Sequence, residues 1–212
     1  MFRGTSMDLG SINRELAELS PQEIIRWALQ KAEKPVVTTN FGPHEAAILH
    51  MATQIQPDLP VVWIDSGYGT QATYRFARDL IQKLELNIQV YHPEYSRAYR
   101  DAIMGGVPEV DTPEHDEFTR QVKLEPFGRA MQTFSPDYWL TAIRKDQTAF
   151  RQGLEVVSET KDGYYRVAPL LNWTELDIEE YLVMNDLPIE EDYYDPTKVI
   201  GNRECGLHTS VS

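Results

Sequence analysis

The chain has 212 residues, 42% hydrophobic and 25% charged, with a formal net charge of −13. That size and balance suit one globular domain with a sizeable core, and the charge argues against nonspecific nucleic-acid binding, which needs a basic face. No apolar run nears the roughly 18 to 20 residues of a membrane span, and the opening Met1-Phe2-Arg3-Gly4-Thr5-Ser6-Met7 lacks the apolar core of a secretory signal, which predicts a cytoplasmic protein.

Ser20-Pro21-Gln22-Glu23 predicts a helix start, with Ser20 as N-cap, Pro21 at the first helical position and Glu23 completing a capping box. Pro35 to Thr39 is a short β-branched run. It leads through Asn40-Phe41-Gly42 to Pro43, which is placed to open a helix continuing through His50. A helix N-terminus directly after a strand offers backbone N–H groups to phosphate or sulfate oxygens, although Thr, Asn and Gly also suit an ordinary turn. Val61 to Asp65 is a second strand, followed by Ser66-Gly67-Tyr68-Gly69 and a helix from Thr70 to Leu84. Two strand–loop–helix units imply a parallel sheet with ligands beyond the carboxyl ends of its strands. Asp65 then faces the first turn, unless it is a plain helix cap.

Further strands are expected at Asn87–Tyr91 and Tyr138–Ile143. The latter runs into Arg144-Lys145-Asp146-Gln147 with Arg151 beyond, a cationic group where an acidic protein needs one for an anionic ligand. Gly105 to Glu117 reads as a surface excursion. Glu155–Ser158 and Tyr164–Val167 form a hairpin around an Asp162-Gly163 turn, and Thr174 caps a helix through Asn185, with Asp177 in the capping-box place. Residues 1–20 read as an N-terminal extension and residues 190–212 as a tail without periodicity that lies on the surface, over the active site.

That tail holds the one cysteine, in Arg203-Glu204-Cys205-Gly206-Leu207-His208. A lone thiol is either a small buried hydrophobe or a reactive nucleophile. Arg203 and His208 favour the thiolate, and Glu204 opposes it unless it pairs with Arg203. Among the five histidines, His44 and His50 fall on different faces of a helix, so no metal set is expected.

Several separated segments together resemble the thioredoxin-dependent phosphoadenylyl-sulfate (PAPS) reductases. They are Thr39-Asn40-Phe41-Gly42 with Ile48-Leu49-His50-Met51, Ile64-Asp65-Ser66-Gly67-Tyr68 with Thr73-Tyr74-Arg75-Phe76, and Val122-Lys123-Leu124-Glu125-Pro126. Ile143-Arg144-Lys145-Asp146-Gln147 with Arg151, Pro169-Leu170 with Trp173 and Asp177, and the terminal hexapeptide complete the set. The resemblance implies an α/β fold of the adenine nucleotide α-hydrolase type, a Rossmann relative with a parallel sheet flanked by helices. It implies reduction of PAPS to sulfite and adenosine 3′,5′-bisphosphate in sulfate assimilation. Cys205 is the implied nucleophile and passes through S-sulfocysteine; thioredoxin or glutaredoxin is the electron donor, and the protein is a homodimer.

By position, Thr38, Thr39, Asn40, Phe41 and Gly42 form the phosphosulfate loop. Asp65, Ser66 and Gly67 lie at the nucleoside, while Arg144, Lys145, Gln147, Arg151, Arg203 and His208 meet anionic groups. Relatives that use the unphosphorylated nucleotide carry cysteine pairs for an iron–sulfur cluster, and this chain has none, so no bound cofactor is expected. Two departures stand out: Ala142-Ile143-Arg144-Lys145 replaces the usual Gly-Leu-Arg-Arg, and the connection from Tyr194 to Arg203 lacks the usual Tyr-x-Ser-Ile-Gly. The competing readings are an ATP pyrophosphatase-type nucleotidyl transferase, whose Ser-Gly-Gly-x-Asp-Ser loop is missing here, and a noncatalytic adenine-nucleotide-binding protein.

Overall fold

The computed structural model describes residues 7–198 and residue 204. Six strands form one sheet in the order β3-β2-β1-β4-β6-β5: β1 (Pro35–Thr39), β2 (Pro60–Ile64), β3 (Asn87–Tyr91), β4 (Tyr138–Leu140), β5 (Val157–Glu159) and β6 (Tyr165–Val167). All pairings are parallel except the hairpin β5–β6. The helices are α1 (Leu9–Leu16), α2 (Pro21–Lys31), α3 (Glu45–Ile55), α4 (Gln71–Leu84), α5 (Arg97–Met104), α6 (Pro113–Thr119), α7 (Glu125–Phe134) and α8 (Glu175–Met184). None of the described helices is long and apolar enough to cross a membrane.

Period-two alternation sends adjacent strand residues to opposite cores. Val37, Val61 and Leu140 pack with Ile48, Leu49, Leu80 and Ile178 from α3, α4 and α8. Val36, Val62 and Trp139 pack with Phe127, Ala130 and Met131 of α7. Because β1 connects onward to β2 on one side and lies beside β4 on the other, the strand order reverses between β1 and β4. That is where a crevice opens beyond the strand ends.

The capping boxes at Ser20/Glu23 and Thr174/Asp177 form as expected, as does the hairpin, with Gly163 at φ +85°. Four expectations need correction. Strand β4 stops at Leu140, and the chain continues extended, with Thr141 N–H donating to Val167 O and Lys145 N–H to Leu171 O. Helix α3 starts at Glu45 with His44 as N-cap, leaving Pro43 outside it. The excursion from Gly105 ends at Thr112, which caps α6, and α6 runs through a π-helical turn (Arg120–Leu124) directly into α7. Pro126 has no N–H to continue an i→i−4 ladder, a local reason for the wider turn and for the missing helical signal. Finally, the start of the tail is packed: Thr197 is 1% exposed, and His115 Nε2 lies 3.3 Å from Pro196 O.

At the hairpin edge, α1 covers β5. The Asn13 side-chain amide donates to Val157 O at 2.9 Å and accepts from Val157 N–H at 2.8 Å, taking the place of a neighbouring strand. Asn13→Ala leaves both buried backbone groups unpaired and should cost about 2 kcal/mol or more, read as a lower urea midpoint. An unchanged midpoint shows that water replaces the amide without loss.

Candidate active site

The cavity at the switch point, about 150 Å³, is lined by the ends of β1 and β4, the loop into α3 and the π-helical turn. Thr38, Thr39, Asn40 and Gly42 border it, with Arg144, Gln147 and Arg151 facing them. A smaller cavity of about 40 Å³ lies beside it, lined by Asp65, Ser66, Trp63 and Tyr74. Asn40, Ile64, Lys123 and Tyr193 belong to both. The two cavities therefore share a wall, an arrangement suited to a ligand with a nucleoside part and an anionic part.

The loop after β1 is held by its own side chains. Glu45 Oε2 accepts from the Thr39 hydroxyl at 2.5 Å and Asn40 N–H at 2.6 Å, Thr39 Oγ1 accepts from Phe41 N–H, and Asn40 Oδ1 accepts from Gly42 N–H. The backbone N–H groups of Asn40, Phe41 and Gly42 are thus already engaged. Burial pushes the Glu45 carboxyl up from the ordinary range, against the pull of these hydrogen bonds and of Lys123.

Positive charge in the cavity comes from side chains instead, and each buried cation has a carboxylate. Lys123, on the π-helical turn, meets Asp195 Oδ2 at 2.5 Å with both side chains about nine-tenths buried. Burial alone would raise the Asp195 pKa; the charge and hydrogen bond of Lys123, with those from Thr197, outweigh it and bring it down to about 2. Arg144, 4% exposed, donates from Nε to Asp146 Oδ1 at 2.9 Å, and its Nη1 lies 3.1 Å from His44 Nδ1. Burial, then the Arg144 charge, lower the His44 pKa, so the ring can accept from Arg144 in its neutral form. Arg151, 3% exposed, holds Glu204.

Of the expected site residues, Thr38, Thr39, Asn40, Gly42, Arg144, Gln147 and Arg151 converge on the larger cavity, and Asp65 and Ser66 on the smaller. Three do not line either. The Phe41 ring is fully buried against Trp63 and Phe76, so only its backbone serves the loop. Gly67, at φ +81°, shapes its turn by donating its N–H to Asp65 Oδ1. Lys145 turns its backbone to Leu171 and borders neither cavity. Asp65 both caps its loop and lines the cavity, and it accepts from the Tyr74 hydroxyl, which burial and this bond push up to about 12. Arg203, Cys205 and His208 lie outside the described residues.

Residues that the sequence reading does not single out as site residues are Lys123, Glu45, His44, Tyr193 and Lys198. Lys123 sits inside the quoted Val122–Pro126 stretch, so a signal for it was present. His44 and His50 do not meet: His50 Nδ1 lies 2.8 Å from the Tyr181 hydroxyl. His44, Glu175 and Glu179 do place ligand atoms within 4.8 Å of one another, with both glutamates exposed.

The profile of the phosphoadenosine phosphosulfate reductase domain matches residues 34–207. The chain belongs to that family. A phosphoadenosine 5′-phosphosulfate reductase of Synechococcus sp. is 41% identical over 182 residues, covering 85% of this chain and 78% of the relative. The PAPS reductase of Candida auris, solved as a phosphate complex, superposes with a TM-score of 0.77 at 27% identity, over 89% of this chain and 91% of that one. The FMN adenylyltransferase of Candida glabrata, with FMN and an ATP analogue, shares the fold alone: TM-score 0.60 at 16% identity, over 90% of this chain and 62% of that one. The PAPS reductase family and its nucleotide-binding α/β fold thus agree with the sequence reading.

Two outcomes are expected at this site. Lys123→Met strands the buried Asp195 charge and should destabilise the fold by about 3 to 5 kcal/mol in urea unfolding; a much smaller loss shows that water reaches Asp195. For Glu45, whose folded pKa is raised above 4.5, the native state binds the proton more tightly than the unfolded chain does. Above that value stability falls as pH rises, until the folded carboxyl has ionised. Glu45→Gln keeps an oxygen for Thr39 and Asn40 and should flatten that decline, measured as urea midpoints between about pH 5 and 8. An unaltered pH slope removes Glu45 as its source.

Proposed function

We propose that this chain reduces 3′-phosphoadenylyl sulfate to sulfite and adenosine 3′,5′-bisphosphate in sulfate assimilation, an oxidoreductase reaction on a sulfur group. Family membership over most of the chain supports the substrate class. The observation that carries the reading in the structure is the pair of cavities sharing a wall, with Lys123, Arg144 and Arg151 buried around the larger one and Asp65, Ser66 and Tyr74 around the smaller. The phosphosulfate belongs in the larger cavity beside Lys123 and Arg144, and the adenosine in the smaller one.

In the chemistry we propose, the Cys205 thiolate attacks the sulfo-group sulfur. A sulfur–sulfur bond forms, the sulfur–oxygen bond to phosphate breaks, and the bisphosphate leaves with the electron pair. Fixed positive groups such as Lys123 and Arg144 disperse the charge that develops on the departing phosphate oxygen, at no reorganisation cost. Reduced thioredoxin or glutaredoxin then attacks the Cys205 sulfur and expels sulfite, and its second thiol resolves the mixed disulfide. The two electrons come from that dithiol. One cysteine in the chain cannot supply the roughly four thiolates of an iron–sulfur cluster, so the reaction runs without a bound cofactor and takes the 3′-phosphorylated nucleotide. A cytoplasmic homodimer completes the proposal. The shared fold with an adenylyltransferase carries no argument for adenylyl transfer.

With the phosphorylated nucleotide and no reductant, the intact protein should gain the mass of one sulfo group on Cys205, and Cys205→Ser should gain none while still binding the bisphosphate. With reduced thioredoxin, sulfite should form faster from the 3′-phosphorylated than from the unphosphorylated nucleotide. Sulfite release at the wild-type rate from Cys205→Ser ends the proposal.

A further inference from the structure

The family resemblance places Arg151 on a substrate phosphate, but the structure gives its fork another occupant. Arg151 Nε donates to Glu204 Oε1 at 2.7 Å and Nη2 to Oε2 at 3.0 Å, a two-point grip that a guanidinium makes on a carboxylate. The Thr148 hydroxyl adds a third bond, to Oε1 at 2.6 Å. Arg151 Nη1 donates to Gln147 Oε1, which also accepts from the Arg144 N–H at 3.0 Å. The clamp on Glu204 is therefore tied into the loop that follows β4. Glu204 and Arg151 are 53 residues apart in sequence, so the contact joins the tail to the body of the fold.

Behind the clamp stands Arg166, 1% exposed, so the Glu204 carboxylate offsets the mutual repulsion of two buried guanidiniums. Burial would raise the Glu204 pKa, but Arg151 and Thr148 hydrogen bonds and the charges of Arg151 and Lys198 lower it, keeping the carboxylate ionised at neutral pH. This also answers the charge conflict in the hexapeptide: Glu204 has a partner in Arg151. A phosphate that needs the same fork has to displace a carboxylate held by three hydrogen bonds.

Cys205 follows Glu204 directly, and consecutive Cα atoms stand about 3.8 Å apart. We propose that Glu204 is a positioning residue for the nucleophile next to it in sequence: its carboxylate is clamped by Thr148 and by Arg151 of the larger cavity's lining, and Arg151 acts on the reaction through Glu204 and not through a substrate phosphate. The inference rests on the reductase reading, with Cys205 as nucleophile. It assigns Glu204 and Thr148 a part in the reaction, and it gives the Arg151 guanidinium, which lines the cavity beside Arg144, the Glu204 carboxylate as its partner.

The test uses the full chain as Glu204→Gln, Arg151→Gln, the double variant and Thr148→Val, the last removing one hydrogen bond without touching the cavity lining. Three quantities are measured: adenosine 3′,5′-bisphosphate affinity by calorimetry, the single-turnover rate of sulfo transfer to Cys205 at saturating PAPS, and the rate of trypsin cleavage after Lys198. Bisphosphate affinity should stay near wild type in all four, while sulfo transfer falls roughly tenfold or more in Glu204→Gln and Arg151→Gln. The double variant should be no slower than the worse single one, because both remove one interaction. Thr148→Val should fall between wild type and these, and cleavage after Lys198 should quicken in every variant. Loss of bisphosphate affinity in Arg151→Gln, with sulfo transfer intact in Glu204→Gln, returns Arg151 to the phosphate and overturns the proposal. Unchanged cleavage after Lys198 in Glu204→Gln, with wild-type sulfo transfer, overturns the clamp alone. Failure of the wild type itself to take a sulfo group overturns the reductase reading beneath it.

Discussion

Gathering cations in one cavity of a folded protein is costly unless each is answered, and here each answer comes from a different part of the chain. Lys123 is met by Asp195 of the early tail, Arg144 by Asp146 two residues on, and Arg151 by Glu204 near the terminus. Removing charges from water carries a large desolvation cost that only close, well-formed pairs offset. The site is therefore balanced before an anion arrives, in a protein whose overall charge of −13 would otherwise repel one. Two of the three pairs also fasten the tail, so the electrostatics of the pocket and the placement of residues 195 and 204 are one problem.

The sheet supplies the location. Parallel β1 and β4 are neighbours in space but 103 residues apart along the chain, Val37 and Leu140 being in register across a gap filled by two other strands and five helices. Residues following each strand face one crevice, which is why Thr39 and Thr141 share a lining. The π-helical turn adds Lys123 from the opposite layer. A regular α-helix through Arg120–Leu124 would present its side chains on a different spiral, and wide turns of this kind recur where a functional side chain must be re-aimed.

Much of this was legible in the residues. β1, β2 and β3 announce themselves as short β-branched runs, and the capping boxes at Ser20 and Thr174 mark their helices because the chemistry is local. Convergence of the β1 loop with the Arg144–Arg151 segment was readable from parallel topology. Helices α1, α5, α6 and α7 were not read: Asp8, Ser96 and Thr112 do cap the first three, while α7 begins without a side-chain cap inside a continuous helical run. Nor could the sequence show that Glu45 accepts from the Thr39 hydroxyl and the Asn40 N–H, or that Lys123 and Asp195 pair across 72 residues. Those depend on three-dimensional packing. Lys145 misled because adjacent basic residues look alike on paper, while the extended backbone after β4 points neighbours to opposite sides.

Phe41 shows what the loop gains from its interior. It is a bulky residue at φ +53°, in the left-handed region that side chains with a Cβ avoid at a cost of about 1 to 2 kcal/mol. The ring's seat between Trp63 and Phe76 offsets that strain. Glycine would relax the backbone but empty the seat, and any ring that keeps the seat keeps the bend. The turn beneath the cavity is thus cocked by the hydrophobic interior, so an incoming anion finds its floor already shaped and need not spend binding energy ordering it.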